Sequence, residues 1–164
     1  MLLNDTLRLA DDKVLAPTRD RAVVVFGIAV EGAWNYPEFG VVIDEYNLEK
    51  KAITGNCWRY NRVHASVPKS SATVQLFAFD VAPGYYIFSA FNVVRFRGDN
   101  TFFVPEGKVV YLGEFVYTTD RTVVLRHRDA KTASVLTKKF PYLKENIVLA
   151  ESRVGVPTMF LCTP

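Results

Sequence analysis

Cysteine, histidine and methionine are scarce in this chain of 164 residues, with two of each. The histidines, His64 and His127, fall in no HxxxH or CxxC spacing, so the sequence implies no metal and no cofactor. GxSxG is missing, which removes the nucleophile-elbow hydrolases. GxxxxGK[ST] and GxGxxG are missing too, and with them the common phosphate-cradling loops. No apolar run reaches the ~18 residues that a transmembrane helix needs. The opening stretch MLLNDTLRLADDK has neither the basic start nor the apolar core of a secretory signal. Two placements follow: the cytoplasm, or a mature secreted form whose signal was replaced by Met1.

The two cysteines, Cys57 and Cys162, leave a similar choice. A disulfide between them would staple the C-terminal tail to a central strand. The other reading is two buried thiols, since free cysteine packs as a small hydrophobe. A thiolate at Cys57 would also have basic neighbours in Arg59, Arg62 and His64, which defines a thiol-hydrolase alternative. The flanking residues match no cysteine-hydrolase signature. No catalytic residue is assigned, and the chain reads more readily as a binding protein than as an enzyme.

Charge is modest. A net charge of +3 arises from 20 basic residues spread along the chain rather than gathered in a run, which argues against nucleic acid as the partner. Apolar residues make up 49% of the sequence, enough for a full core without metal or disulfide. The 12 Phe and 8 Tyr, together with frequent Val, favour pleated, half-buried surfaces.

The pattern along the chain agrees. Residues 1–20 are polar and read as an N-terminal arm. Residues 21–164 read as a single domain. RAVVVFGIAVEG (21–32) is a buried strand bounded by Arg21 and Gly32. AWNYPEFG (33–40) is a loop. KAITGNCWRYNRVHA (51–65) reads as one strand with a bulge at Gly55. TVQLFAFDVAPG (73–84) puts Val74, Leu76 and Ala78 on one face and Gln75, Phe77 and Phe79 on the other. Further strands follow at intervals of about ten residues, broken by RGDN (97–100), Pro-Glu-Gly (105–107) and TTD (118–120). Arg97-Gly98-Asp99 spells an adhesion tripeptide, but Gly98 and Asn100 make RGDN first a hairpin turn. This is the signature of an antiparallel β-sandwich. One helix interrupts it around 130–139, with Asp129 as N-cap and lysines in the last turn.

Two stretches interleave Arg with aromatics, NCWRYNRVH (56–64) and FNVVRFRGDN (91–100). On a sheet they could stack single-stranded nucleic acid. Arg stems covering aromatics explain them more simply. They could equally present a protein contact face, because Trp, Tyr and Arg dominate binding hot spots. Trp34, Tyr36, Trp58 and Arg59 are the contact candidates.

FDVAPGYYIFSAF (79–91) followed by FFVPEGKVVYLGEFVY (102–117) resembles a group of small bacterial envelope and lipoprotein-like domains of the DUF2846 type. It is more loosely similar to transthyretin-type sandwiches. The matching positions are Pro83, Gly84, Tyr85, Val104, Gly107, Tyr111 and Gly113. KKFPYLKENIVLAE (138–151) resembles the helix and tail that end many such proteins. The resemblance implies a transthyretin/immunoglobulin-like sandwich, a periplasmic or outer-membrane-associated location, and a partner that is another envelope protein or a surface component. It implies no catalytic residue. No lipobox cysteine lies near Met1, so a lipid anchor would require a trimmed N-terminus.

Overall fold

The computed structural model describes residues 3–9, 16–56, 58–69, 72–90, 95–140 and 146–156. The nine residues of the Val-rich run show how the sandwich is organised. They have a buried face on both sides, because the strand they form lies at the centre of three layers. Ala22, Val24, Phe26, Ile28 and Val30 point into the space between two sheets. Val23 and Val25 point the other way, towards a helix.

In chain order the strands are β1 (Leu3–Asn4), β2 (Leu7–Leu9), β3 (Ala22–Val30), β4 (Glu38–Asn47), β5 (Ala52–Ile53), β6 (Arg59–Tyr60), β7 (Arg62–Pro68) and β8 (Gln75–Val81). There follow β9 (Gly84–Phe88), β10 (Arg95–Arg97), β11 (Thr101–Val104), β12 (Val109–Tyr117), β13 (Thr122–Arg126), α1 (Ala130–Lys139), β14 (Ile147–Leu149) and β15 (Glu151–Arg153). Among the described residues, one sheet runs β10-β13-β12-β3-β8-β2, with β14 also on β12. The other runs β15-β11-β9-β4-β5, with β7 also on β4. A short ribbon joins β1 to β6. The expected mainly-β sandwich with one C-terminal helix is what the chain forms.

Aromatic rings fill the space between the sheets. Phe115 of β12 meets Phe26 edge-on at 5.8 Å and Phe88 of the facing sheet at 4.8 Å. On the outer face of the first sheet, Ala133 and Leu136 of α1 pack with Val23, Val25, Ala78, Val109, Tyr111 and Ile147. The helix begins where its N-cap dictates: the Asp129 carboxylate accepts the Thr132 N–H at 2.8 Å. That bond holds the exposed Asp129 carboxyl below its ordinary pKa.

Several local expectations are corrected. The sheet at the centre is mixed, because β3 and β12 run parallel. Between them the chain builds most of the facing sheet and returns to the end at which β3 begins, where Gly107 N–H meets the Arg21 carbonyl at 2.8 Å. RGDN is not a hairpin turn. It carries the chain from β10, paired with β13, to β11, paired with β9 and β15 in the other sheet. Asp99 is occupied there by the Ser152 hydroxyl at 2.8 Å. Pro-Glu-Gly likewise joins β11 to β12 across the sheets. Residues 51–65 form three short strands rather than one, since Gly55 adopts φ +113° and the Asn56 side chain accepts the N–H groups of Trp58 and Arg59. Part of the polar arm is ordered: β2 pairs with β8, and β1 with β6.

Beside the helix, the Tyr111 hydroxyl is buried with no hydrogen-bond partner among the described residues. Burial, then Glu114 and Asp129, push its pKa up. Tyr111→Phe should therefore be neutral or stabilise the protein by up to about 1 kcal/mol, measured by urea unfolding.

Candidate binding surface

β7 lies on the flank of its sheet and pairs only with β4 among the described residues. Its register fixes which of its backbone groups face outward. Lys69 N–H reaches the Pro37 carbonyl at 3.1 Å, and Glu45 N–H reaches the Asn61 carbonyl at 3.0 Å. Pairs between these two that keep the same alternation are the hydrogen-bonded ones: Phe39 with Val67, Val41 with Ala65, Ile43 with Val63. The main-chain groups of Arg62, His64, Ser66 and Pro68 therefore point away from β4.

The outer groups at Arg62 are already used. Asn4 accepts the Arg62 N–H at 3.0 Å and donates to the Arg62 carbonyl at 2.7 Å, and Thr6 adds a second donor to that carbonyl. The N-terminal segment thus caps one end of the strand before β2 joins the other sheet. Pro68 has no N–H to offer. Between these limits, the N–H and C=O groups of His64 and Ser66 and the carbonyl of Pro68 face outward with no strand partner among the described residues. On the face turned away from the aromatic core, the pair of Arg62 with the buried Asp44 at 2.6 Å and the Ser66 hydroxyl on Glu38 fix the side chains beside this edge.

Aromatic residues stand at both ends of the strand. Trp58, 63% exposed, lies beside Leu3, whose N–H reaches the Trp58 carbonyl at 2.8 Å. Tyr36, 49% exposed, precedes Pro37 at the Pro68 end. Six steps of about 3.4 Å along β7 separate the two ends by roughly 20 Å. The four contact candidates therefore do not form one site. Trp34 and Tyr36 stand at one end of β7, Trp58 and Arg59 at the other. Trp34 is largely a packing residue: its Nε1–H donates to the Glu31 carbonyl at 2.8 Å and its ring meets Phe39 edge-on at 5.0 Å. Arg59 is exposed but bonds to Asp5 at 2.5 Å.

Trp34 and Tyr36 do share a cleft of about 280 Å³ with Ala33, Asn35 and Arg121. Beneath it, Tyr117 packs on Phe39 at 4.8 Å, and its hydroxyl donates to the Gly40 carbonyl. Burial pushes the Tyr117 pKa up to about 12. Arg121 is the residue that sequence reasoning missed, having been taken only as the first residue of a strand. The open groups of β7 were equally invisible, because an edge is defined by the strand order of the whole sheet.

The two Arg-aromatic stretches separate. Residues 58–64 fall in β6, paired with β1, and the start of β7, paired with β4, whereas Arg95 and Arg97 lie on β10, an edge strand of the first sheet. Arg62 sits over the Tyr60 ring at 5.9 Å, as expected of a stem that covers an aromatic. Cys57, Cys162 and residues 91–94 lie outside the described residues, and the disulfide and thiol-enzyme readings with them. Among the described residues, no three His, Cys, Asp or Glu side chains converge as a metal site, and no helix is long and apolar enough to cross a membrane.

No family model, curated protein or solved structure matches the chain.

Proposed function

We propose that this protein is a non-enzymatic binding module of the bacterial cell envelope, which captures an extended segment of another protein as an added strand on β7. One observation carries this reading: outward main-chain donors and acceptors at His64, Ser66 and Pro68, framed by exposed Tyr36 and Trp58. Main-chain bonding would supply affinity, and the flanking aromatics selectivity. An open edge is an aggregation hazard that folded proteins normally blunt. Here blunting is confined to the ends, by Asn4 and Pro68, and the middle is left available. The envelope location rests on the resemblance of residues 79–91 and 102–117 to envelope domains.

The test uses a phage-displayed library of random peptides as the probe. Ser66→Pro removes one outward N–H without touching the β4 ladder, and Pro68 shows that this edge accepts proline. Peptides selected on the native protein should bind Ser66→Ala as they bind the parent, and bind Ser66→Pro at least about tenfold more weakly. Circular dichroism checks that the variant is folded. An unproductive selection, or peptides indifferent to Ser66→Pro, would overturn the proposal.

A further inference from the structure

The cleft at the Pro68 end of β7 has a chemistry of its own. Its cation, Arg121, sits in the hairpin between β12 and β13. Arg121 N–H bonds to the Thr118 carbonyl at 3.1 Å, and Thr118 N–H to the Thr122 carbonyl at 2.9 Å. This is a three-residue loop whose last position must be left-handed, and Arg121 has φ +59°. Glycine or asparagine usually fills such a position, because other side chains are strained there. The chain instead places a long cation at the rim of an aromatic cleft.

That cation has no carboxylate partner among the described residues. The nearby acids are engaged elsewhere: Glu31 pairs with Arg126, and Asp120 accepts the Thr118 hydroxyl. The other walls are Ala33, Trp34 and the exposed Asn35 and Tyr36. The volume suits one side chain rather than a whole ligand. The cleft is also continuous with the proposed strand site, since Tyr36 adjoins Pro37, whose carbonyl holds Lys69 next to Pro68. Lys69 adds a second exposed cation at this end.

We infer that the segment captured by β7 is acidic, and that one of its carboxylates enters the cleft to pair with Arg121 while the adjoining carbon chain lies against Tyr36. This inference rests on the strand-addition reading and names its partner by chemistry. A guanidinium at the mouth of a partly enclosed site favours a planar carboxylate through paired hydrogen bonds.

The same random peptide library supplies the probe, followed by affinities of the selected peptides at two salt concentrations. Selected peptides should carry Asp or Glu at one end of the shared pattern, and their binding should weaken with salt. Arg121→Gly should bind them about tenfold more weakly. It should nevertheless melt a few degrees higher, because glycine relieves the left-handed strain. That opposite movement separates a binding role from a structural one. A library reselected on Arg121→Glu should favour Lys or Arg at the same position. Peptides without an acidic preference, bound equally by Arg121→Gly yet lost by Ser66→Pro, would overturn the cleft assignment and leave the strand site standing. An unproductive selection would overturn both.

Discussion

Between pH 10 and 12 the protein should lose about half or more of its stability. The cause is three buried tyrosines, Tyr86, Tyr111 and Tyr117. Burial is the first cause of the raised pKa in each; Glu45 adds to it at Tyr86, and Glu114 at Tyr111. Below pH 10 each phenol is protonated in both the folded and the unfolded chain, and its contribution is intact. Above pH 10 the unfolded chain releases protons that the fold retains, so stability falls as pH rises through this window. Each group costs about 1.4 kcal/mol per pH unit, and three together about 4 kcal/mol per unit. Two such units remove roughly 8 kcal/mol, more than the lower part of the 5–15 kcal/mol range of domain stabilities and about half of its upper end. Tyrosinate absorbance should rise in two phases, the second coinciding with loss of the sheet signal in circular dichroism. Tyr111→Phe should move that second phase to higher pH. Complete ionisation with the fold intact would contradict the burial of these side chains.

Gly113→Val should cost about 4 kcal/mol, whereas Gly107→Ala should cost about 1 kcal/mol. Both glycines belong to the stretch that resembles envelope domains, and both have positive φ, +121° at Gly113 and +70° at Gly107. Their surroundings differ. Gly107 turns in open space, and an added Cβ meets nothing within 4 Å, so only the backbone preference is lost. At Gly113, β12 bulges between its pairing with β14 and its pairing with β13. A Cβ there would collide with the Arg128 side chain and press on Leu125 Cδ2 at 3.2 Å. Arg128 is the clamp that this close approach permits: it donates to the Ala150 carbonyl and the Ser152 hydroxyl, each at 2.6 Å. Displacing it would unfasten the end of β13 from β15. Chemical denaturation of the two variants side by side checks the ratio, and equal losses would contradict it.

What the sequence disclosed was local chemistry. The run at 22–30 announced its burial because neither parity carries a polar side chain. The helix at 130–139 announced its start through Asp129, and Gly107 its turn. Sheet membership was hidden. Residues such as Gly98 and Gly107 set local dihedral angles, but nothing in RGDN or Pro-Glu-Gly says whether the next strand joins the same sheet or the facing one. Trp34 and Tyr36 drew attention as aromatics beside a proline in a loop, and they do line the cleft. The sequence could not show that Trp34 has its Nε1–H and ring edges already engaged. Arg121 became visible only with the left-handed hairpin position, and the β7 edge only with the order of strands around it.

Strand capture depends on the main-chain groups of His64 and Ser66. The measurement that reaches them most directly is residue-resolved amide hydrogen exchange across 62–68, in the free protein and with a selected peptide bound. In the free protein Val63, Ala65 and Val67 should be protected, with His64 and Ser66 exchanging far faster. Peptide binding should protect His64 and Ser66. Slow exchange at both amides before any peptide is added, or fast exchange that persists once the peptide is bound, would contradict capture by this strand.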